Sequence, residues 1–268
     1  RKYEIRSKAQ KVAEILVISH RWQAQNPCYI LCMIDTPFTR GFGLKHAIAL
    51  APEPGSATGA LAAAVADAGG LGLIGCGDQS ADWIAKEFAK TGETAVGCGL
   101  SCRALADDPA RHAAALAGRP RAVYLHNGDP RPHAKARQSA RVRVICEVRD
   151  MEDAKRAAEA EAHVIVARGT DAAGQPAPRT LFSLVPELAD FIRREADDTI
   201  LLAYGGINDA RTLASALTLG ADGAMMSTRL VASVEGGESD APPVANILDQ
   251  ITRRAEKILI HNKRAVID

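Results

Sequence analysis

Residues 199–230 read TILLAYGGINDARTLASALTLGADGAMMSTRL. A short apolar run comes first. Two glycines, a stretch with helical spacing, a glycine stop and a second short apolar run follow. Unbroken apolar runs of this length belong to strands buried on both faces, as in parallel sheets. Two parallel strands need a long crossover, and residues 208–220 supply one as a helix. Asn208 or Asp209 is its capping residue and Gly220 its stop.

The same unit recurs toward the N-terminus. The earlier apolar runs are AIALAP (47–52), LGLIGC (71–76), AVGCGLSC (95–102), AVYLHNG (122–128), RVRVICEV (141–148) and HVIVARG (163–169). Helical stretches lie between them: GALAAAVADAG (59–69), SADWIAKEFAKTG (80–92), LADDPARHAAALAG (105–118), PRPHAKARQSA (130–140), DMEDAKRAAEAE (150–161) and LFSLVPELADFIRREAD (181–197). A last helix covers VANILDQITRRAEKILI (244–260). Ser80 and Asp150 cap helix starts, and Gly69, Gly92 and Gly118 mark ends. Eight such units predict an α/β fold, a closed (β/α)8 TIM barrel over residues 35–268. A basic, amphipathic N-terminal helical extension is expected over 1–34. The alternative is a doubly wound open sheet, which usually has fewer strands.

One motif misleads. Gly70-Leu-Gly72-Leu-Ile-Gly75 matches G-x-G-x-x-G. A dinucleotide fingerprint follows a strand and opens a helix, whereas this one follows a helix and lies in a strand. Its glycines are read instead as a helix stop and as close packing of the second strand.

Composition narrows the function classes. The 268 residues carry a net charge of +1, with 47% hydrophobic and 24% charged residues. A nearly neutral chain has no electrostatic footprint for nucleic acid. No run of eighteen apolar residues is present to span a membrane. Cys28, Cys32, Cys76, Cys98, Cys102 and Cys146 form no zinc-type spacing, so no metal site is expected. They read as buried or strand-end free thiols, which suits a cytoplasmic location.

In a barrel of this kind the chemistry sits at the C-terminal strand ends. That rule selects Ala51-Pro52-Glu53, Cys76-Gly77, Leu100 to Cys102, His126-Asn127, Glu147, Arg168-Gly169, Tyr204 to Gly206 and Met226 to Thr228. Gly205 and Gly206 precede a helix start, and Ser227 and Thr228 follow the eighth strand. Glycines admit a phosphate to the backbone, and free helix-start amides attract it. The plainer alternative is a tight turn and two capping hydroxyls.

Several segments together resemble one family. TPFTR and GLKHAIALAP come first, then LAAAVADAGGLGLIG, ICEVRDMEDAKRAAEA, VIVARGTDAAGQ and YGGINDARTLASALTLGADGAMMSTRLVASVE. The order is similar to that of nitronate monooxygenases, formerly 2-nitropropane dioxygenases, over roughly residues 36–235. FMN-dependent enoyl-acyl-carrier-protein reductases belong to the same superfamily. The resemblance implies an FMN-binding TIM barrel that acts on a small molecule with O₂. It places Gly205, Gly206, Ser227 and Thr228 at the FMN phosphate and Ala51, Pro52, Glu53, Arg168 and Ala173 beside the flavin ring, with Gly174 and Met226 also among the cofactor-binding residues.

The chain departs from the family pattern at several strand mouths. The family A-P-M-A-G is Ala51-Pro52-Glu53-Pro54-Gly55, and Met-Gly-Thr is Met226-Ser227-Thr228. Gln175 stands where the resemblance places the catalytic histidine. A glutamine donates a hydrogen bond but is no base near neutral pH. His126, at the end of the fourth strand, is the candidate substitute, while His163 falls at the opposite end of the barrel. Glu53 and Arg168 are expected to pair over the flavin site. Three readings follow: an FMN-dependent nitronate monooxygenase of weakened activity, a catalytically degenerate FMN-binding barrel, and an NAD(P)H-dependent enoyl-thioester reductase.

Overall fold

The computed structural model describes residues 34–134, 142–172 and 177–265. All but the last residue of the expected N-terminal extension lies outside these. So do Cys28, Cys32 and most of the helix expected over 130–140. The elements run α1 (Pro37–Phe42), β1 (Ile48–Leu50), α2 (Gly59–Asp67), β2 (Leu73–Gly77), α3 (Ala81–Ala89), β3 (Gly97–Ser101), α4 (Cys102–Asp107) and α5 (Pro109–Ala117). They continue β4 (Ala122–His126), β5 (Arg143–Val148), α6 (Met151–Glu159), β6 (Val164–Arg168), α7 (Leu181–Glu195), β7 (Ile200–Tyr204), α8 (Ala210–Thr218), β8 (Gly223–Met226), α9 (Thr228–Val231) and α10 (Val244–Ala265). No helix among the described residues is long and apolar enough to cross a membrane.

The eight strands form one sheet in the order β1-β8-β7-β6-β5-β4-β3-β2. Every paired neighbour is parallel. Ala49 bridges Leu71 in parallel. Leu50 N donates to Leu71 O at 2.9 Å, and Leu71 N donates to Ile48 O at 3.0 Å. These bonds bring β1 against the approach to β2 and close the ring. The fold is a (β/α)8 TIM barrel, and the open-sheet alternative falls away.

Local chemistry explains most boundaries. Ser80, Asp150 and Asp209 cap α3, α6 and α8 through their side chains, as expected. The single helix expected over 105–118 is two, α4 and α5. Pro109 has no N–H to continue a helix, and the Asp108 side chain instead accepts from Ala110 N at 2.9 Å to start α5. Gly118 stays right-handed, and Arg119 takes the left-handed turn at φ 50°. Helix α1 has no counterpart in the strand–helix pattern; Thr36 and Thr39 cap each other reciprocally at its start.

The glycines of the rejected dinucleotide motif serve packing. A Cβ on Gly72 would lie 1.9 Å from the Ala62 carbonyl oxygen of α2, and one on Gly75 would lie 2.2 Å from the Glu53 carbonyl oxygen. Only glycine lets α2 and the β1 loop approach β2 this closely. Cys76, Cys98, Cys102 and Cys146 are buried.

His46 anchors α10 from the segment before β1. It is 2% exposed, with Nδ1 2.8 Å from Thr252 Oγ1 and Nε2 3.4 Å from Asp249 Oδ1. Burial, and next the neighbouring Lys45 charge, push its pKa down to about 4, against the opposing pull of Asp249.

Two measurements check these packing arguments. Gly72→Ala should cost about 1–3 kcal/mol by overpacking. Gly92→Ala, with φ +61° and no atom of the described residues within 4 Å, should cost about 1–2 kcal/mol from backbone strain alone. Urea unfolding of both variants ranks the two effects. For His46, the unfolded chain takes a proton near pH 6.5 and the folded chain only near 4. Its contribution is therefore complete above pH 6.5 and is lost as pH falls toward 4, by at most about 3 kcal/mol. His46→Gln should flatten that part of the stability–pH curve.

Candidate active site

Strand alternation decides what faces the barrel mouth. Tyr124 and His126 are two residues apart on β4 and share a face, and Glu147 lies near the end of β5. Arg168 and Tyr204 end β6 and β7 and are register partners. The loop after β1 adds Pro52, Glu53 and Pro54. Together with Asn127 and Arg149 these residues line a cavity of about 290 Å³.

Two tyrosine–carboxylate hydrogen bonds organise it. Tyr124 Oη donates to Glu147 Oε2 at 2.5 Å, and Tyr204 Oη donates to Glu53 Oε1 at 2.5 Å. Arg168 is 4% exposed, and its Nε lies 3.6 Å from Glu147 Oε2. The ion pair expected between Glu53 and Arg168 is thus replaced. Glu147, one strand from Arg168 in the sheet, takes the guanidinium, and Glu53 takes the Tyr204 hydroxyl. Arg149 Nε donates to Asp153 Oδ2 at 3.0 Å.

The electrostatics follow from burial. Tyr124 is raised well above the ordinary tyrosine range, first by burial and then by the Glu147 charge. Tyr204 is raised by burial and by its bond to Glu53. Both hydroxyls keep their protons at neutral pH and act as donors. Burial lowers the His126 pKa, against the pull of Glu147. The ring stacks at a tilt on Tyr124, with centroids 5.7 Å apart. Its Nε2 is buried and has no hydrogen-bond partner among the described residues.

The phosphate candidates lie beyond the end of β7 and at the end of β8. Gly205 has φ +130° and Gly206 φ +63°, conformations that side-chain-bearing residues avoid. A Cβ on Gly205 would fall 2.9 Å from Ala172 N. Gly206 and Thr228 are exposed. Ser227 precedes α9, but its hydroxyl makes no cap hydrogen bond. Capping therefore does not account for Ser227, and a turn of glycines beside its hydroxyl fits a phosphate. These residues could hold the phosphate of the cofactor that the sequence suggests, and Tyr204, next to Gly205, lines the cavity.

The structure therefore brings Pro52, Glu53, His126 and Arg168 to one cavity, with Gly205, Gly206, Ser227 and Thr228 at the neighbouring strand ends. Ala51 and Met226 are buried, and Ala51 N donates to Met226 O at 2.9 Å, so they join β1 to β8 beneath the mouth. Ala173, Gly174 and Gln175 lie outside the described residues. The candidate list missed Tyr124 and Arg149, and gave no role to Glu147 or Tyr204. Isolated polar side chains inside apolar strand runs were the available signal.

Comparison with known proteins now bears on this geometry. The family model for nitronate monooxygenase matches residues 99–256. A nitronate monooxygenase of Pseudomonas aeruginosa is 30% identical, over 76% of this chain and 71% of its own length. The chain belongs to the nitronate monooxygenase family. A nitronate monooxygenase of Neurospora crassa is 36% identical over 43% of this chain, which spans 35% of that protein's length. The solved structure of FabK from Thermotoga maritima shares the fold, with a TM-score of 0.76 and 21% identity over 87% of this chain and 99% of that one.

The mouth of this chain is held by a tyrosine–glutamate–arginine group that a mutant cycle can test. Tyr124→Phe and Glu147→Gln should each destabilise. Their coupling should reach about 1.5–3 kcal/mol, the range for a hydrogen bond to a charged acceptor. Urea unfolding of the two single variants and the double variant gives that coupling directly.

Proposed function

We propose that the chain holds FMN by its phosphate at the ends of β7 and β8 and oxidises alkyl nitronates with O₂ at the barrel mouth. The observation that carries this reading is the adjacency of the Gly205–Gly206 turn to a cavity that contains buried Arg168. Family membership supports it. Gly205, Gly206, Ser227 and Thr228 would hold the phosphate, and Pro52, Glu53 and Arg168 would stand beside the ring.

The redox chemistry in this reading belongs to bound FMN and O₂, while the chain binds, orients and manages protons. A nitronate is an anion, and Arg168 is the deepest cation in the cavity. Tyr124 and Tyr204 donate hydrogen bonds without losing their protons. His126 is kept neutral by burial, and in the tautomer protonated on Nδ1 its Nε2 accepts a proton. We assign it the removal of the acidic C–H proton from a neutral nitroalkane, a task that Gln175 cannot perform. The substrate's C–H electron pair then delocalises into the nitro group, and the proton rests on Nε2.

A second reading is favoured by one observation. The Tyr204–Glu53 hydrogen bond joins β7 to the β1 loop beside the cavity. In that reading the barrel binds FMN without turnover.

Absorbance titration with FMN, followed by O₂ uptake with an alkyl nitronate and with its neutral nitroalkane, separates these outcomes. Flavin binding with O₂ uptake on the nitronate is expected. His126→Asn should lower turnover of the neutral nitroalkane by about 10²–10⁴ and spare the nitronate. Flavin binding without O₂ uptake selects the degenerate barrel. Anaerobic bleaching of the flavin by NAD(P)H selects the reductase. A chain that takes up no FMN overturns the cofactor assignment.

A further inference from the structure

The end of the barrel away from the mouth carries a second charged group, which the reading above does not use. Phe42 ends α1 and is 1% exposed, packed edge-on to Phe38 with centroids 5.4 Å apart. Two guanidiniums lie on its ring. Arg143, the first residue of β5, has its Cζ 4.3 Å from the centroid, and Arg121, just before β4, has its Cζ 5.6 Å away. One aromatic ring thus holds two like charges. No ion pair joins either arginine to a carboxylate among the described residues.

His163 adds a donor beside them. It stands just before β6, and its Nδ1 accepts from Val144 N at 3.2 Å. The neutral ring must then carry its proton on Nε2, which leaves an N–H donor on an exposed imidazole. Arg143 repels charge on both neighbours. Burial and Arg143 lower Arg121, and the same two causes lower His163, with Glu161 opposing.

We propose that Arg121, Arg143 and His163 form a binding site for a phosphate-bearing anion at the N-terminal end of the barrel. Cation–π contact with Phe42 restrains the two guanidiniums, which reduces the side-chain entropy lost on binding. Each fork then offers N–H groups suited to phosphate oxygens. A dianion between the two removes their mutual repulsion, whereas a single carboxylate offsets half of it. The site lies at the opposite strand ends from the FMN candidates and stands or falls independently of them.

The probe is inorganic phosphate. Phenylglyoxal labelling of the purified chain, mapped by mass spectrometry, should show phosphate slowing modification of Arg121 and Arg143. The exposed Arg193 should react at an unchanged rate. Acetate should protect less. Because this readout uses the unaltered protein, no folding defect can obscure it. Calorimetric titration of Gly206→Val, in which the mouth turn is blocked, should retain saturable phosphate binding. Adding Arg143→Gln or Arg121→Gln to that variant should weaken binding tenfold or more. Equal labelling rates with and without phosphate, equal protection by acetate, or phosphate affinity unchanged by both arginine substitutions would each overturn the proposal.

Discussion

Ring closure between β1 and β2 is the constraint on which the rest depends. The strand ends form a mouth only because β1 returns to the approach of β2 through the Ala49–Leu71 bridge. That return demands small residues. A side chain at Gly72 would strike α2, and one at Gly75 would strike the β1 loop. The same close approach carries Glu53 over the mouth, where the Tyr204 hydroxyl reaches it from β7. A sequence feature that looks like a nucleotide motif is thus the packing solution that shapes the cavity.

Within the mouth, burial is the dominant energy and hydrogen bonding its remedy. An isolated carboxylate beside fully buried Tyr124 would carry a desolvation cost of several kcal/mol. Glu147 meets it with a short tyrosine hydrogen bond and the Arg168 guanidinium, and Glu53 meets it with Tyr204. Removing one partner leaves a charge with incomplete solvation, so these residues act as a group. The Nε2 of His126, by contrast, is buried with no hydrogen-bond partner among the described residues, which is a cost to the fold.

Most of the architecture was legible because parallel strands advertise themselves as unbroken apolar runs between capped helices. All eight strands fall within or at the edge of the expected runs. The misreadings have local causes. Helical spacing continues through residues 105–118, but Pro109 cannot supply the hydrogen bond that continuity needs. Helix α1 is short and sits outside the repeating unit. The site was legible by position and less so by partnership. The strand-end rule selected Glu53, His126, Glu147, Arg168 and Tyr204. Which carboxylate meets which donor depends on barrel stagger and loop path, so Arg168 turns to its sheet neighbour Glu147 rather than to Glu53. Tyr124 escaped notice because it lies one turn of the strand alternation below the edge, yet its hydroxyl reaches up to Glu147.

The proposed transfer of proton acceptance from position 175 to His126 has a structural consequence. His126 closes a paired strand whose neighbours fix its backbone. Its ring is further held against Tyr124. Under that proposal, a base on a strand end would hold its geometry and accept a narrow range of shapes. The half of the mouth around Pro52 and Pro54, two residues with little backbone freedom of their own, adds to that rigidity. Under the proposed assignment, a cavity of about 290 Å³ with a strand-held base would favour compact substrates and would tie selectivity to the packing that closes the barrel.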